Sequence, residues 1–257
     1  MIRNPLAVVD RAPVTPEQDL QPRYAVYFAP APENAWWKFG CRWLGRDAVT
    51  GESLAQPKIE GMGAERLWQI TAWARCYGFH ATLKPPFRLA PGCGIDDLFD
   101  LTAALAQNFE PFPLPGIEVC DIGEFVALQP VTAGSRAKKL AARCVLAFDR
   151  LRQPPDQAEL AKRRSRGLTA QQEQLLARWG YPYVLDEFRF HFTLTDPVPR
   201  AERTVATAAL QPIIAALNEE PLPVDALALF EQRFPQTPFM LKRRYRFDGI
   251  CEVYGDG

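Results

Sequence analysis

The segment FRFHFTLT, Phe188 to Thr195, alternates bulky apolar residues with polar or basic ones at a strict period of two. That period belongs to an extended strand, because successive side chains on a strand leave opposite faces. Phe188, Phe190, Phe192 and Leu194 therefore share one face and demand a buried partner layer, while Arg189, His191, Thr193 and Thr195 share the other. A helix would scatter the four apolar residues around its circumference, so this stretch requires a sheet with a hydrophobic back and a polar front. The segment YGFHATLKPPF, Tyr77 to Phe87, has the same parity, with Gly78, His80, Thr82 and Lys84 on one side and Tyr77, Phe79, Ala81 and Leu83 on the other.

The chain has only two histidines, and both open the same phrase, HATL at 80–83 and HFTL at 191–194. The surrounding elements also recur. In the first half, Tyr24–Ala29 reads as a strand, ENAWWKFGCRWLG and AERLWQITAWARC as helices, then the histidine strand, the helix GIDDLFDLTAALAQNF and the strands GIEVCDIG and EFVALQPV. In the second half, AARCVLAFDRL reads as a strand, Asp156 to Trp179 as helix with a break near Gly167, then the second histidine strand. The helix AERTVATAALQPIIAALN, kinked or divided at Pro212, and the strands VDALALFEQRF and FMLKRRYRFDG follow. Each half thus runs strand, helix, histidine strand, helix, strand, strand. The expected fold is α+β: two pseudo-symmetric lobes, each an antiparallel sheet with helices on its outer face, and a central cleft between them. Residues 1–22, proline-rich and aperiodic, read as a loose leader, residues 23–135 as the first lobe and residues 136–257 as the second.

Thirty basic and 30 acidic residues leave no net charge, which argues against an extended nucleic-acid partner but not against a small charged ligand. In LKRRYRF, strand alternation splits Arg243, Arg244 and Arg246 between faces, and the run KRRSRG reads as the basic end of a helix. No window approaches the roughly 18 apolar residues of a membrane span, and the start has no signal-type apolar core, so the chain reads as cytosolic with no membrane partner. Six dispersed cysteines without a C-x-x-C pair read as buried thiols rather than a zinc or redox site. GCG at 92–94 is too short to cradle a phosphate. Most of the tryptophans are expected in the core or between the lobes.

A lone His-x-Thr on a strand is more often a structural histidine bonded to a carbonyl than a functional one. Two copies in matching places shift the balance. A histidine and the threonine after it lie about 6.8 Å apart along a strand and can touch opposite sides of one phosphate. Facing each other across a cleft, two imidazoles could serve as base and acid in phosphodiester cleavage, with the hydroxyls holding the non-bridging oxygens and with no metal or cofactor required. Lys84 and Arg189, on the same faces, are candidates to neutralise phosphate, weighed evenly against ion pairing with an acid such as Glu187. Thr195 reads as a strand end.

These residues resemble the two-histidine (2H) phosphoesterases, marked by paired His-x-Thr/Ser-hydrophobic motifs in two pseudo-symmetric lobes. RYAVYFAP, YGFHATLKPPF, GLTAQQEQLLARWGYPYVLDEFRFHFTLT and RYRFDG are similar to the branch associated with phosphonate metabolism, and the resemblance runs from Arg23 to the C-terminus. It implies His80 and His191 as the acid/base pair, Thr82 and Thr193 as phosphate-binding hydroxyls, and a small phosphorylated metabolite as partner. The expected function is a metal-independent hydrolase that opens a small cyclic phosphate, such as a ribosyl cyclic phosphate. An RNA-end 2′,3′-cyclic phosphodiesterase and a non-catalytic phosphometabolite-binding protein are the alternatives.

Overall fold

The computed structural model describes residues 21–114, 116–132, 134–165 and 167–255. The expected leader, apart from its last two residues, lies outside them. The chain enters at β1 (Arg23–Phe28) and turns into α1 (Ala35–Leu44). The Asn34 side chain caps α1 by accepting the Trp36 N–H at 2.9 Å, and Gly45, at φ 82°, closes it in the left-handed conformation that glycine adopts without cost. The single helix expected over AERLWQITAWARC is two, α2 (Ala64–Ile70) and α3 (Ala72–Tyr77). They part at Thr71, whose hydroxyl donates back to the Leu67 carbonyl at 2.9 Å.

Then come β2 (Ala81–Phe87), α4 (Ile95–Ala106), β3 (Phe112–Leu114), β4 (Ile117–Ile122) and β5 (Phe125–Pro130). The next element corrects the sequence reading: AARCVLAFDRL is not a strand but lies largely within α5 (Ser135–Phe148). Ala137, Leu140, Ala141, Cys144, Val145 and Phe148 are all buried, and their spacing of three and four residues traces one helical stripe. The five-residue apolar run CVLAF has the length of a buried strand, but the apolar positions before it in SRAKKLAARC extend a helical period through it. The chain continues through α6 (Gln157–Arg164), α7 (Ala170–Trp179), β6 (Phe192–Thr193), α8 (Arg200–Leu217), β7 (Leu222–Val224), β8 (Ala226–Gln232), β9 (Met240–Arg246) and β10 (Cys251–Val253). Pro212 sits inside α8, which continues past it.

Eight strands form one sheet in the order β10-β9-β8-β1-β2-β6-β5-β4, every neighbouring pair antiparallel, and β3 pairs with β7 apart from it. The α+β class and the antiparallel pairing agree with expectation. The separate sheet expected in each lobe is corrected: β6 lies between β2 and β5, and β1 joins β8, so strands from both halves of the sequence share one sheet. The duplicated pattern had relied on a strand where α5 stands, which leaves the second half without a counterpart of β1.

The sheet has two buried faces, and alternation along β1 separates them. Tyr24, Val26 and Phe28 join the larger cluster with Ala81, Leu83, Phe192 and the apolar stripe of α5. Ala25 and Tyr27 join a smaller one with Trp37, Cys41, Ala228, Phe230, Phe239 and Leu241. Behind the histidines, Phe79 and Phe192 stack with centroids 4.7 Å apart; both are fully buried, and truncating either to alanine is expected to cost about 3–5 kcal/mol. Arg244, expected to alternate with its neighbours, is fully buried between Asp225 and Glu252, so β9 presents no basic stripe. Among the described residues no helix is long and apolar enough to cross a membrane.

Candidate functional site

The two histidine phrases meet at the middle of the sheet. β2 and β6 are adjacent and antiparallel, with Ala81 opposite Phe192. Continuing that register by one residue each way sets His80 opposite Thr193 and Thr82 opposite His191. Cross-strand neighbours on one face have Cβ atoms about 5 Å apart, so the four side chains occupy the corners of a small quadrilateral. All four are half-buried, screened by the sheet but open to a small molecule from the front.

Each histidine is held in the same way. Nδ1 of His80 lies 2.9 Å from the Gly78 carbonyl, and Nδ1 of His191 lies 2.8 Å from the Arg189 carbonyl. A carbonyl only accepts, so Nδ1 carries the proton in both rings and Nε2 is the free lone pair of the neutral form. At His80 that lone pair is 3.1 Å from the Thr82 hydroxyl, which donates to it. At His191, Nε2 meets no donor or acceptor among the described residues. Behind the first ring, Tyr27 stacks at 3.7 Å between centroids, with Tyr77 and Phe230 each at 6.3 Å; beside the second, Phe125 stands at 6.0 Å.

Two glycines make the first histidine's seat. Gly78 has φ 80° and ψ 176°, a combination nearly reserved for glycine, and a Cβ there would lie 2.9 Å from Cβ of Ala48. A Cβ on Gly40 would fall 2.0 Å from the Phe79 ring, so the backbone of α1 packs directly on that ring. α1 is tied to the second phrase as well, through Trp43 Nε1, which donates to the Leu194 carbonyl at 3.0 Å.

Burial disfavours a charged imidazole at both positions. It pulls His80 down to about 4, partly opposed by the Gly78 carbonyl, with a charge on nearby His191 adding to the depression. It lowers His191 too, opposed by the Arg189 carbonyl and reinforced by the Arg189 guanidinium. Both rings are therefore neutral near pH 7, and the influence of His191 on His80 reflects their proximity.

The remaining candidates divide. Arg189 is exposed and lies near enough to influence His191. Lys84 corrects the parity argument. Thr82 pairs with Tyr27 but Lys84 pairs with Val26, so two residues of β2 answer one of β1, and this bulge turns Lys84 away from the His80 face. Its side chain is 1% exposed and reaches the Val145 carbonyl at 3.3 Å and Asp149 at 3.5 Å. Thr195 is buried, and its hydroxyl accepts the Val126 N–H at 2.9 Å, which ends the strand as expected. Next to it, the Asp196 carboxylate accepts the N–H groups of Trp73 and Ala74, clipping α3 to the second phrase, and burial raises it to about 6. Sequence reasoning missed Tyr27 and Tyr77; a tyrosine inside the apolar strand RYAVYF, four residues from a basic end, was the available signal. Among the described residues no three His, Cys, Asp or Glu side chains are grouped to hold a metal.

Comparison with known proteins supplies the wider context. The chain is 41% identical over 234 residues to a protein of Janthinobacterium sp. (strain Marseille) named ribose 1,5-bisphosphate phosphokinase PhnN, a match covering 90% of this chain and 52% of that protein. It is 38% identical over 223 residues to a protein of the same name from Laribacter hongkongensis (strain HLHK9), covering 86% and 51%. The chain thus spans about half the length of these curated relatives. Their name describes a kinase, which transfers a phosphoryl group, and it overturns the expectation of a hydrolase that opens a cyclic phosphate. A family model described as protein of unknown function (DUF1045) matches residues 82–240, more than half of the sequence, and the chain belongs to that family.

Proposed function

We propose that the chain is a binding module for a small phosphorylated ribose, serving the phosphoryl-transfer chemistry named for its relatives. The observation that carries this reading is the cross-strand arrangement of His80, Thr82, His191 and Thr193 on one open face. The likeness of both phrases to the two-histidine family supports phosphate as their target. The chain contains no G-x-x-x-x-G-K-[S/T] loop, so the reading assigns it the sugar phosphate rather than the nucleotide.

The chemistry follows from the tautomer. With Nδ1–H committed to a carbonyl, each neutral Nε2 offers a lone pair, which repels a fully ionised phosphate. A phosphate monoester has its second ionisation near pH 6, so it can bring one proton and share it with an Nε2, giving a charge-assisted bond. Thr193, and Thr82 once its hydroxyl turns from His80, donate to the remaining oxygens. Arg189 supplies an exposed cation at the rim.

Calorimetric titration with ribose 5-phosphate and ribose 1,5-bisphosphate tests the reading. Binding that weakens in His191→Ala and Thr193→Val supports it. Absence of binding at millimolar ligand, or binding indifferent to both substitutions, overturns it.

A further inference from the structure

A second, cationic hollow lies beside the outer part of β2, which the short β6 does not accompany. Arg23, Lys84, Arg88, Arg152 and Arg163 line it, with Trp179 at one wall. Asp156 and Glu159 are the carboxylates in that lining, and Asp149 behind it pairs with both Lys84 and Arg152, so five cations meet three acids. The enclosed space is about 50 Å³, several times what one water needs.

One of these cations carries an unmatched buried donor, and a second is deeply buried. Nε of Arg163 is buried with no hydrogen-bond partner among the described residues, although the same guanidinium pairs with Glu159 and lies 5.0 Å from the centre of the Tyr181 ring. Lys84, at 1% exposure, donates to the Val145 carbonyl at 3.3 Å and pairs with Asp149 at 3.5 Å; burial pulls it down to about 8, partly opposed by Asp149. Leaving the Arg163 donor unmatched costs free energy, which an anion in the hollow would recover. The basic run KRRSRG, read from sequence as a helix end, thus splits: Arg164 turns outward to Glu173, and Arg163 turns inward.

Arg23 connects the hollow to the histidines. It shares the face of Tyr27 by strand parity, bonds Gln232 at 2.7 Å, and lies near enough to the phenols of Tyr77 and Tyr27 for its guanidinium to offset part of the upward push that burial gives both. Those two rings pack around His80.

We infer that this hollow is a second phosphate subsite, holding the distal phosphate of a bisphosphorylated sugar whose first phosphate sits at the histidine–threonine quartet. The inference rests on the proposed function for the first phosphate. Calorimetry of wild type, Arg163→Ala, Arg163→Lys and His191→Ala with ribose 5-phosphate, ribose 1,5-bisphosphate and inorganic phosphate tests it. Arg163→Ala is expected to weaken the bisphosphate by about tenfold or more while sparing the monophosphate, and Arg163→Lys to recover part of that loss. His191→Ala should weaken both sugars. Equal loss of both sugars in Arg163→Ala, or loss of neither, overturns the subsite and leaves the quartet standing. So does loss confined to inorganic phosphate. If instead Arg163→Ala discriminates the sugars while His191→Ala changes nothing, the quartet reading fails and the hollow stands as a phosphate site.

Discussion

The two histidine phrases share three of four letters and adjacent strands, yet their surroundings differ. His80 is packed: Tyr27 lies flat on its ring, Thr82 occupies its Nε2, and a glycine in a reserved conformation supplies its anchoring carbonyl. His191 immediately precedes a strand of two residues, its Nε2 without a partner among the described residues and an exposed arginine supplying both the anchoring carbonyl and a nearby positive charge. The same motif therefore makes two carbonyl-anchored imidazoles, one with its Nε2 engaged by a threonine and one with its Nε2 open. For a phosphate ligand the difference suggests a division of labour, with His191 engaging first and His80 requiring Thr82 to rotate away.

The largest expected effect breaks this comparison at its centre. His191→Ala and His80→Ala should each weaken sugar-phosphate binding by about 10- to 100-fold, the range of a hydrogen bond to a charged group. The double variant should lose less than the product, because both rings grip one ligand. Calorimetry on the four proteins measures the coupling.

A second test separates the seats. Gly78→Ala forces a side chain into the reserved backbone region beside Ala48 and should destabilise the fold by about 1–3 kcal/mol in chemical denaturation. Because the Gly78 carbonyl orients His80 alone, ligand binding in that variant should weaken while the second phrase keeps its contribution.

pH sharpens the contrast. His80 has a folded value near 4, below its unfolded value of about 6.5, so the unfolded chain binds more protons between them. Its contribution is fully present above about pH 6.5 and is lost as pH falls towards 4. Asp196, raised to about 6, has the opposite sign: its contribution is present at low pH and lost as pH rises through about 6. The stability difference between wild type and His80→Asn should therefore shrink as pH drops from 6.5 to 4, read by denaturation midpoints. Ligand binding should take up a proton, visible as a dependence on buffer ionisation enthalpy, and weaken as pH rises above about 6.

The smallest effect belongs to the hydroxyls. Thr193→Val should reduce affinity by about fivefold, the size of one neutral hydrogen bond, and Thr82→Val by less, since the wild-type hydroxyl must first leave His80.

What was legible in the sequence was local. The period of two in FRFHFTLT placed His191 and Thr193 on a face opposite buried phenylalanines, and the repeated phrase drew attention to both motifs. Parity failed at Lys84, because a bulge is a property of the pairing between strands and leaves no mark on one strand alone. Secondary structure failed at α5, where a short apolar run fits a buried strand and a helix equally well until its flanks are counted. Strand order lay beyond reach for the same reason: the pairing of β6 between β2 and β5 depends on contacts distant in sequence. The chemistry expected of the pair was overturned by the name of its relatives, since two imidazoles and two hydroxyls on one face do not specify a reaction.

With two histidines in the chain, imidazole ¹⁵N spectra titrated with ribose 5-phosphate test the central claim most directly. The account predicts that both Nε2 resonances move together with a single midpoint while both Nδ1 stay protonated. Movement of only one ring, or of neither at saturating ligand, would contradict a phosphate shared between them.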